Sequence, residues 1–121
     1  MKKEFVKMQG IGNDFIIMDY YSKKFPDWIN FNQLAKKLCQ RHFGIGADGL
    51  ILILPSGKYD LKMRIFNFDG SEAEMCGNGI RCFAKYVFEN KIKKKRMFSV
   101  ETLAGEIIPE IILSEKNNSI E

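Results

Sequence analysis

The sequence lacks any apolar run of the roughly 18 residues that a membrane-spanning helix needs. Lys2 and Lys3 lie near the amino terminus, but Glu4 and Lys7 interrupt the stretch that a signal peptide would continue as an apolar core. These two absences favour a globular protein of the cytoplasm. The 121 residues are 45% hydrophobic and include ten Phe, which is enough for the core of one domain.

Cysteine and histidine are scarce. Three cysteines, with no CxxC pair, make neither a disulfide framework nor a zinc knuckle, so reduced thiols are expected. The four residues that could be combined into a metal site are Cys39, His42, Cys76 and Cys82. Because Cys76 and Cys82 would lie on different sides of one helix, we expect no metal, and we expect His42 to be a packed or capping side chain.

Positive charge is modest and local. The formal net charge is +4, and five of the basic residues fall within one stretch at positions 91–96. A nucleic-acid-binding site of this kind would have aromatic residues for base stacking among the basic ones, or a recognition helix, and neither is apparent. A solvated loop is the favoured interpretation, with no nucleic-acid partner.

Several short segments have the patterns of strands. Residues 14–20 and 50–54 are apolar runs typical of buried strands, and residues 61–65 alternate as in a half-buried strand before the Asp69-Gly70 turn. Two further strand-like runs follow at 97–102 and 107–113, before a polar tail at 114–121 that has no packing signal.

Two segments have helical periodicity. The first begins after Asn30, a plausible N-cap with Gln33 at the capping-box position, and should end before Gly44. The second has a broad apolar surface that requires protein on most sides, formed by Ile80, Cys82, Phe83, Ala84, Tyr86, Val87 and Phe88. The coarse order β-β-α-β-β-α-β-β predicts an α+β fold.

The stretch M-C-G-N-G-I-R-C-F at residues 75–83 places Cys76 directly before the second helix. Unpaired N–H groups and the positive end of the helix dipole favour a thiolate there, and direct N–H hydrogen bonds to the sulfur are expected to contribute. Gly77 and Gly79 would let a carboxylate approach the same N–H groups. Alternatively, Cys76 is a small buried residue and the glycines only shape a turn. The residues alone leave both interpretations open.

Four motif blocks occur in order: K-M-Q-G-I-G-N-D-F at 7–15, R-H-F-G-I-G-A-D-G at 41–49, R-I-F-N-F-D-G-S-E at 64–72, and the Cys76 motif. Together they resemble the N-terminal half of diaminopimelate epimerase, and E-T-L-A-G at 101–105 is similar to a weaker fifth block. The resemblance implies a mixed or antiparallel sheet wrapped around a central helix. It also implies that residues 1–121 are an N-terminal domain whose second half is absent from the chain.

The family interconverts LL- and meso-diaminopimelate with two opposed cysteines and no pyridoxal phosphate or other cofactor, in lysine and cell-wall precursor biosynthesis. By resemblance, Cys76 is one of these acid/base residues. The family's substrate contacts map to Asn13, Asn67, Gly77 and Asn78. Without the resemblance, Asn13 and Asn67 would be interpreted as ordinary turn residues. Some relatives have a substrate-contacting glutamine where this chain has Gly49, so that contact is in doubt.

The resemblance implies that the chain holds half of an active site and is inactive alone. Its expected partners are diaminopimelate, the missing C-terminal half and, as a weaker expectation, a second copy that pairs two Cys76 sites. The alternatives are a proline racemase-like enzyme, which usually has histidine where Asn78 stands, and a phenazine-type isomerase. A nucleotide-binding module is also considered because Gly44, Gly46 and Gly49 spell G-x-G-x-x-G. That fingerprint requires a strand before it and a helix after it, whereas the order predicted here is the reverse.

Overall fold

The fold is known from a computed structural model that describes residues 5–10, 12–24, 26, 28–42, 44–113 and 118–120. Its elements, in chain order, are β1 (Val6–Gly10), β2 (Asn13–Asp19), α1 (Phe31–Leu38), β3 (Gly49–Leu54), β4 (Leu61–Asn67), β5 (Glu72–Ala73), α2 (Gly77–Glu89), β6 (Val100–Thr102), β7 (Gly105–Ile107), β8 (Ile111–Leu113) and β9 (Asn118–Ile120).

Within the described residues, seven strands form one mixed sheet in the order β1-β2-β3-β4-β6-β7, with β5 paired to β4. The pairs β2/β3 and β4/β6 are parallel, and the other pairs are antiparallel. Strands β8 and β9 pair separately as an antiparallel hairpin. The predicted α+β class with a mixed sheet is confirmed.

The sheet separates two apolar cores. All six residues of β3 are buried, which requires cover on both faces of the sheet. One row of side chains, including Ile16, Leu50 and Phe66, packs with α1, whereas the alternate row, including Ile17 and Ile51, packs with α2. Each helix therefore covers its own face.

Helix α1 starts and stops where the sequence predicts. The side chain of Asn30 accepts a hydrogen bond from the Gln33 N–H at 3.1 Å, so the predicted N-cap is confirmed. A Cβ at Gly44 would lie 2.4 Å from the Lys37 carbonyl oxygen, so only glycine fits against the end of the helix. Helix α1 precedes the G-x-G-x-x-G stretch and β3 follows it, which is the reverse of the nucleotide fingerprint.

Helix α2 contacts β1, β2, β3 and the β8–β9 hairpin, which confirms the central helix expected from the resemblance. Its buried face includes Phe83, Ala84 and Val87, each with 0% exposure. A narrow strip that includes Arg81 and Lys85 is exposed. The predicted need for protein on most sides of this helix is therefore met.

Three predictions about the strands need correction. The run 107–113 is not one strand: β7 and β8 belong to different sheets, and Pro109 lies between them without an N–H to donate. Of the run 97–102, only the last three residues form β6, and Met97 makes an isolated bridge with Glu110. Both β5 and β9 were missed. Strand β9 lies in the polar tail, of which residues 114–117 and 121 fall outside the described part.

Two lysines of the basic stretch at 91–96 contact polar side chains elsewhere in the chain. Lys95 Nζ lies 3.0 Å from both carboxylate oxygens of Asp60, and Lys93 Nζ donates to the Tyr21 hydroxyl at 2.9 Å. These surface contacts fit the predicted solvated loop. Among the described residues, no helix has the length and apolarity to cross a membrane.

Candidate active site

The predicted site residues converge at one end of the sheet. Asn13 begins β2, Gly49 begins β3 and Asn67 ends β4. Gly49 pairs with Asn67 on one side and with Phe15 on the other. Because side chains alternate along a strand, Asn13, Gly49 and Asn67 lie on the α2 side of the sheet, as Ile51 does.

Helix α2 begins over this end of the sheet. A Cβ at Gly79 would lie 3.0 Å from Ile65 Cδ1 and 3.5 Å from Ile51 Cδ1, so the first turn rests closely on β3 and β4. The same Cβ would lie 3.3 Å from Cys76 Cβ. Glycine at position 79 therefore lets the first turn approach the sheet without crowding the thiol.

Cys76 is the N-cap of α2, with extended backbone at φ −147° and ψ 118°. It is half-buried and packs against the α2-side core. Its side chain makes no capping hydrogen bond, so the expectation that direct N–H hydrogen bonds hold the sulfur is wrong. The N–H groups of a first helical turn have no acceptor within the helix, so the start of α2 can bind an anion beside the thiol.

The other two cysteines are packed in the two cores. Cys39 and Cys82 are each 3% exposed. Burial raises the pKa of the Cys39 thiol to about 11 and also raises the pKa of Cys82. Since the thiolate is the nucleophile, these two side chains are held in the unreactive form.

The four residues considered for a metal site do not come together. Cys39 belongs to the α1-side core, whereas Cys76 and Cys82 lie on the α2 side. In the part of the chain that the structure describes, no group of three His, Cys, Asp or Glu side chains could hold a metal ion. His42 is exposed beyond the end of α1, so of the two roles expected for it, packed or capping, the packed one is wrong.

A side-chain hydrogen bond joins the start of α2 to the β1–β2 hairpin. Asn78 Nδ2 donates to Asn13 Oδ1 at 2.8 Å. Gly77 is exposed, and a Cβ there would meet nothing within 4 Å, so packing does not require glycine at this position. The structure thus connects Cys76, Asn78 and Asn13, and it places the exposed Asn67 at the same end of the sheet.

The sequence reasoning missed a pair of carboxylates beside Asn13. The Asp14 N–H donates to Asp48 Oδ2 at 3.0 Å, and the Asp48 N–H donates to Asp14 Oδ1 at 3.1 Å. Arg41 Nη2 lies 3.3 Å from Asp14 Oδ1 and 3.2 Å from Asp48 Oδ1. The available signal was that both aspartates follow a G-x-G stretch within motif blocks that precede neighbouring strands.

The charge state of Asp14 is set by its neighbours. Burial opposes ionisation of Asp14, but hydrogen bonds from Arg41 and other neighbours, with Lys7 Nζ at 3.3 Å, outweigh it and lower the pKa of Asp14 to about 2. The carboxylate is therefore ionised at neutral pH and accepts hydrogen bonds only.

An open polar depression of about 430 Å³ lies beside these groups and is lined by Gln9, Gly12, Asn13, Asp14, Arg41 and Asp48. Cys76 is not among the residues that line it. At Gly49, a Cβ would lie 2.9 Å from the Phe66 carbonyl oxygen, so a larger residue would require β3 or β4 to shift.

The fold is shared with solved structures of epimerases and of PhzF-family phenazine biosynthesis proteins. A hydroxyproline epimerase from Agrobacterium vitis matches with a TM-score of 0.72 at 15% identity, over 94% of this chain and 38% of that one. A PhzF-family phenazine biosynthesis protein from Bacillus anthracis matches with a TM-score of 0.70 at 22% identity, over 97% of this chain and 38% of that one. At these identities the likeness establishes the fold alone.

The particular family follows from the sequence. The family model for diaminopimelate epimerase matches residues 5–120, and the chain belongs to that family. It is 58% identical to the diaminopimelate epimerase of Caldanaerobacter subterraneus subsp. tengcongensis over 90% of this chain and 38% of that protein. It is 53% identical to that of Halothermothrix orenii over 99% of this chain and 42% of that protein. The chain thus spans about two fifths of the length of the relatives it matches.

Proposed function

We propose that this chain is the N-terminal domain of a diaminopimelate epimerase and supplies one half of its active site. The observation that supports this most directly is the placement of Cys76 at the open start of α2, next to the Asn78–Asn13 hydrogen bond. Each of these residues lies in a motif block of the family. The reaction proposed is the interconversion of LL- and meso-diaminopimelate, in the formation of lysine and cell-wall precursors.

In the proposed mechanism, the Cys76 thiolate removes the α-proton of the substrate, or the thiol returns it in the opposite direction. The substrate carboxylate binds N–H groups at the start of α2, of which Gly77 provides one. These donors stabilise the negative charge that develops on the carboxylate as the α-proton leaves. No pyridoxal phosphate is required, because the donors and the paired thiols together lower the barrier.

Inversion at the α-carbon requires an acid on one face and a base on the other. Cys82 is buried in the core, so it does not reach a substrate bound at Cys76. The second cysteine comes, in this proposal, from a C-terminal half that closes on the same substrate. The chain alone is therefore inactive, and a reducing compartment such as the cytoplasm keeps Cys76 available as a thiol.

The test is conversion of LL- to meso-diaminopimelate by the purified chain, with and without the C-terminal half of the protein. We expect turnover only in the mixture and loss of that turnover in Cys76→Ala. Cys82→Ala serves as the matched control and should retain turnover. Robust turnover by the chain alone would contradict the half-site proposal.

A proline racemase-like activity is the second candidate, because the fold is shared with hydroxyproline epimerase. Asn78 favours diaminopimelate, since proline racemases usually have histidine at this position. Solvent-deuterium exchange at the α-carbon, measured with proline and with diaminopimelate, distinguishes the two activities. The mass of the active species, measured in solution, distinguishes pairing with a C-terminal half from a homodimer of this chain.

A further inference from the structure

Asn78 and Gly79 form an Asn-Gly dipeptide, and Asn78 is the only asparagine of the sequence that glycine follows. Glycine has no Cβ, so the backbone nitrogen after such an asparagine approaches the side-chain amide with little hindrance, and the asparagine deamidates readily. We infer that Asn78 is the site of spontaneous deamidation in this chain and that its hydrogen bond to Asn13 protects it in the folded state.

The reaction is an intramolecular attack on the side-chain amide. The Gly79 backbone nitrogen forms a bond to Asn78 Cγ, the Cγ–Nδ2 bond breaks, and ammonia leaves with the proton that the backbone nitrogen loses. Water then opens the resulting succinimide at either of its two carbonyl groups. The product is an aspartate or an isoaspartate at position 78, and the net change is replacement of NH₂ by OH.

The start of α2 leaves the reacting groups accessible to this chemistry. Gly79 is the third residue of α2, and the N–H groups of a first helical turn have no acceptor within the helix. The helix therefore does not engage the attacking nitrogen in a hydrogen bond. Asn78 is half-buried and follows the exposed Gly77, so water can reach the succinimide.

Two features of the folded chain oppose the attack. Asn78 Nδ2 donates to Asn13 Oδ1 at 2.8 Å, which holds the amide toward β2. The helical backbone at Asn78 must also rotate before the nitrogen reaches a near-attack geometry at Cγ. That rotation would move Gly79, which lies so close to the sheet that a Cβ would be 3.0 Å from Ile65 Cδ1. Folding thus keeps the two reacting atoms apart.

Deamidation would place a carboxylate at the first turn of α2. The helix dipole and the first-turn N–H groups favour a negative charge there, so the product can occupy these donors itself. Asn13 Oδ1 would then face an oxygen in place of an NH₂ donor. That the new carboxylate competes with a substrate carboxylate rests on the proposed function, whereas the deamidation of Asn78 does not.

The test is mass spectrometry of the native chain during incubation at mildly alkaline pH, with peptide mapping to locate the modified residue. Asn13→Ala should increase the rate of deamidation at Asn78 about fivefold, the factor that corresponds to one net neutral hydrogen bond. Asn32→Ala is the matched control, because Asn32 Nδ2 donates to the Gly70 carbonyl oxygen at the same distance of 2.8 Å. It should leave the rate at Asn78 unchanged. Circular dichroism checks that each variant is folded.

Urea titration of the unsubstituted chain gives a second measurement that needs no variant. The rate at Asn78 should stay low below the unfolding transition and rise at least about fivefold across it, because the unfolded chain lacks both the hydrogen bond and the helical backbone. The inference is overturned if Asn13→Ala reacts no faster than the unsubstituted chain, if Asn32→Ala accelerates the reaction equally, or if folded and unfolded chains react at one rate. No turnover is measured, so the result is independent of the proposed function.

Discussion

The two helices begin in opposite ways. Helix α1 is closed by Asn30, whose side chain accepts the Gln33 N–H, whereas the Cys76 side chain at the start of α2 makes no such bond. A good N-cap contributes about 1 kcal/mol to the free energy of unfolding. The α2 start omits that contribution, and its N-cap residue carries a half-buried thiol. The difference separates a helix end that is closed by its own N-cap from one that the proposed function assigns to substrate binding.

Helix α2 is stabilised by the packing of its buried face rather than by an N-cap. A substitution on that face should therefore have the largest effect on the free energy of unfolding. Phe83 has 0% exposure and contacts the α2-side core. Phe83→Asp should abolish folding, because the lost packing and the unpaired buried charge together cost at least about 4 kcal/mol. Circular dichroism and urea unfolding measure this. Arg81→Asp, on the exposed strip of the same helix, is the control, and a folded Phe83→Asp variant would mean that this face is not buried.

Asp14 supports the hairpin next to the start of α2, and its contribution to stability depends on pH. The folded pKa of Asp14, about 2, lies below the ordinary value of 3.8, so its contribution is present above about pH 4 and is lost as pH falls toward 2. Asp14→Asn should lower the free energy of unfolding at neutral pH by about 2 kcal/mol. It should also make the free energy of unfolding less dependent on pH below about pH 4. Denaturant titrations at several pH values measure both. Equal acid sensitivity of the two proteins would contradict the assignment, and Glu89→Gln, at an exposed residue, is the control.

Substitutions at the two N-caps should have the smallest effects on the free energy of unfolding, and they compare the two helix starts directly. Asn30→Ala should destabilise the chain by about 1 kcal/mol, because the first turn of α1 loses its acceptor. Cys76→Ser should stabilise it by about 0.5 kcal/mol, because a hydroxyl at an extended N-cap position can accept a first-turn N–H. Urea unfolding of both variants measures the difference. A loss of stability in Cys76→Ser would show that the α2 start is not an open cap.

Much of the fold could be predicted from local pattern. The α1 cap, the broad face of α2 and the buried β3 each depend on residues close together in the chain. The split of the run 107–113 depends on Pro109, whose missing N–H matters only once the strand partners are known. Strand β5 is only two residues long, and β9 lies in a polar tail. Neither has a local sequence pattern typical of a strand, so both form because of the strands with which they pair.

For the site, the motif blocks pointed to five residues: Cys76, Asn13, Asn67, Gly77 and Asn78. In the structure, residues 76–78 start α2, and Asn78 is hydrogen-bonded to Asn13. The sequence did not point to Asp48, because the contacts of Asp48 with Asp14 and Arg41 form only once the parallel β2/β3 pairing brings these residues together.

Alkylation of the native chain, mapped by mass spectrometry at neutral pH, tests most directly the central claim that Cys76 is the reactive thiol at an open helix start. Cys39 and Cys82 are buried and their pKa values are raised, so neither should compete. The account predicts that iodoacetamide modifies Cys76 first and that the other two cysteines react only after unfolding. Preferential labelling of Cys82 or Cys39 in the folded chain would contradict it.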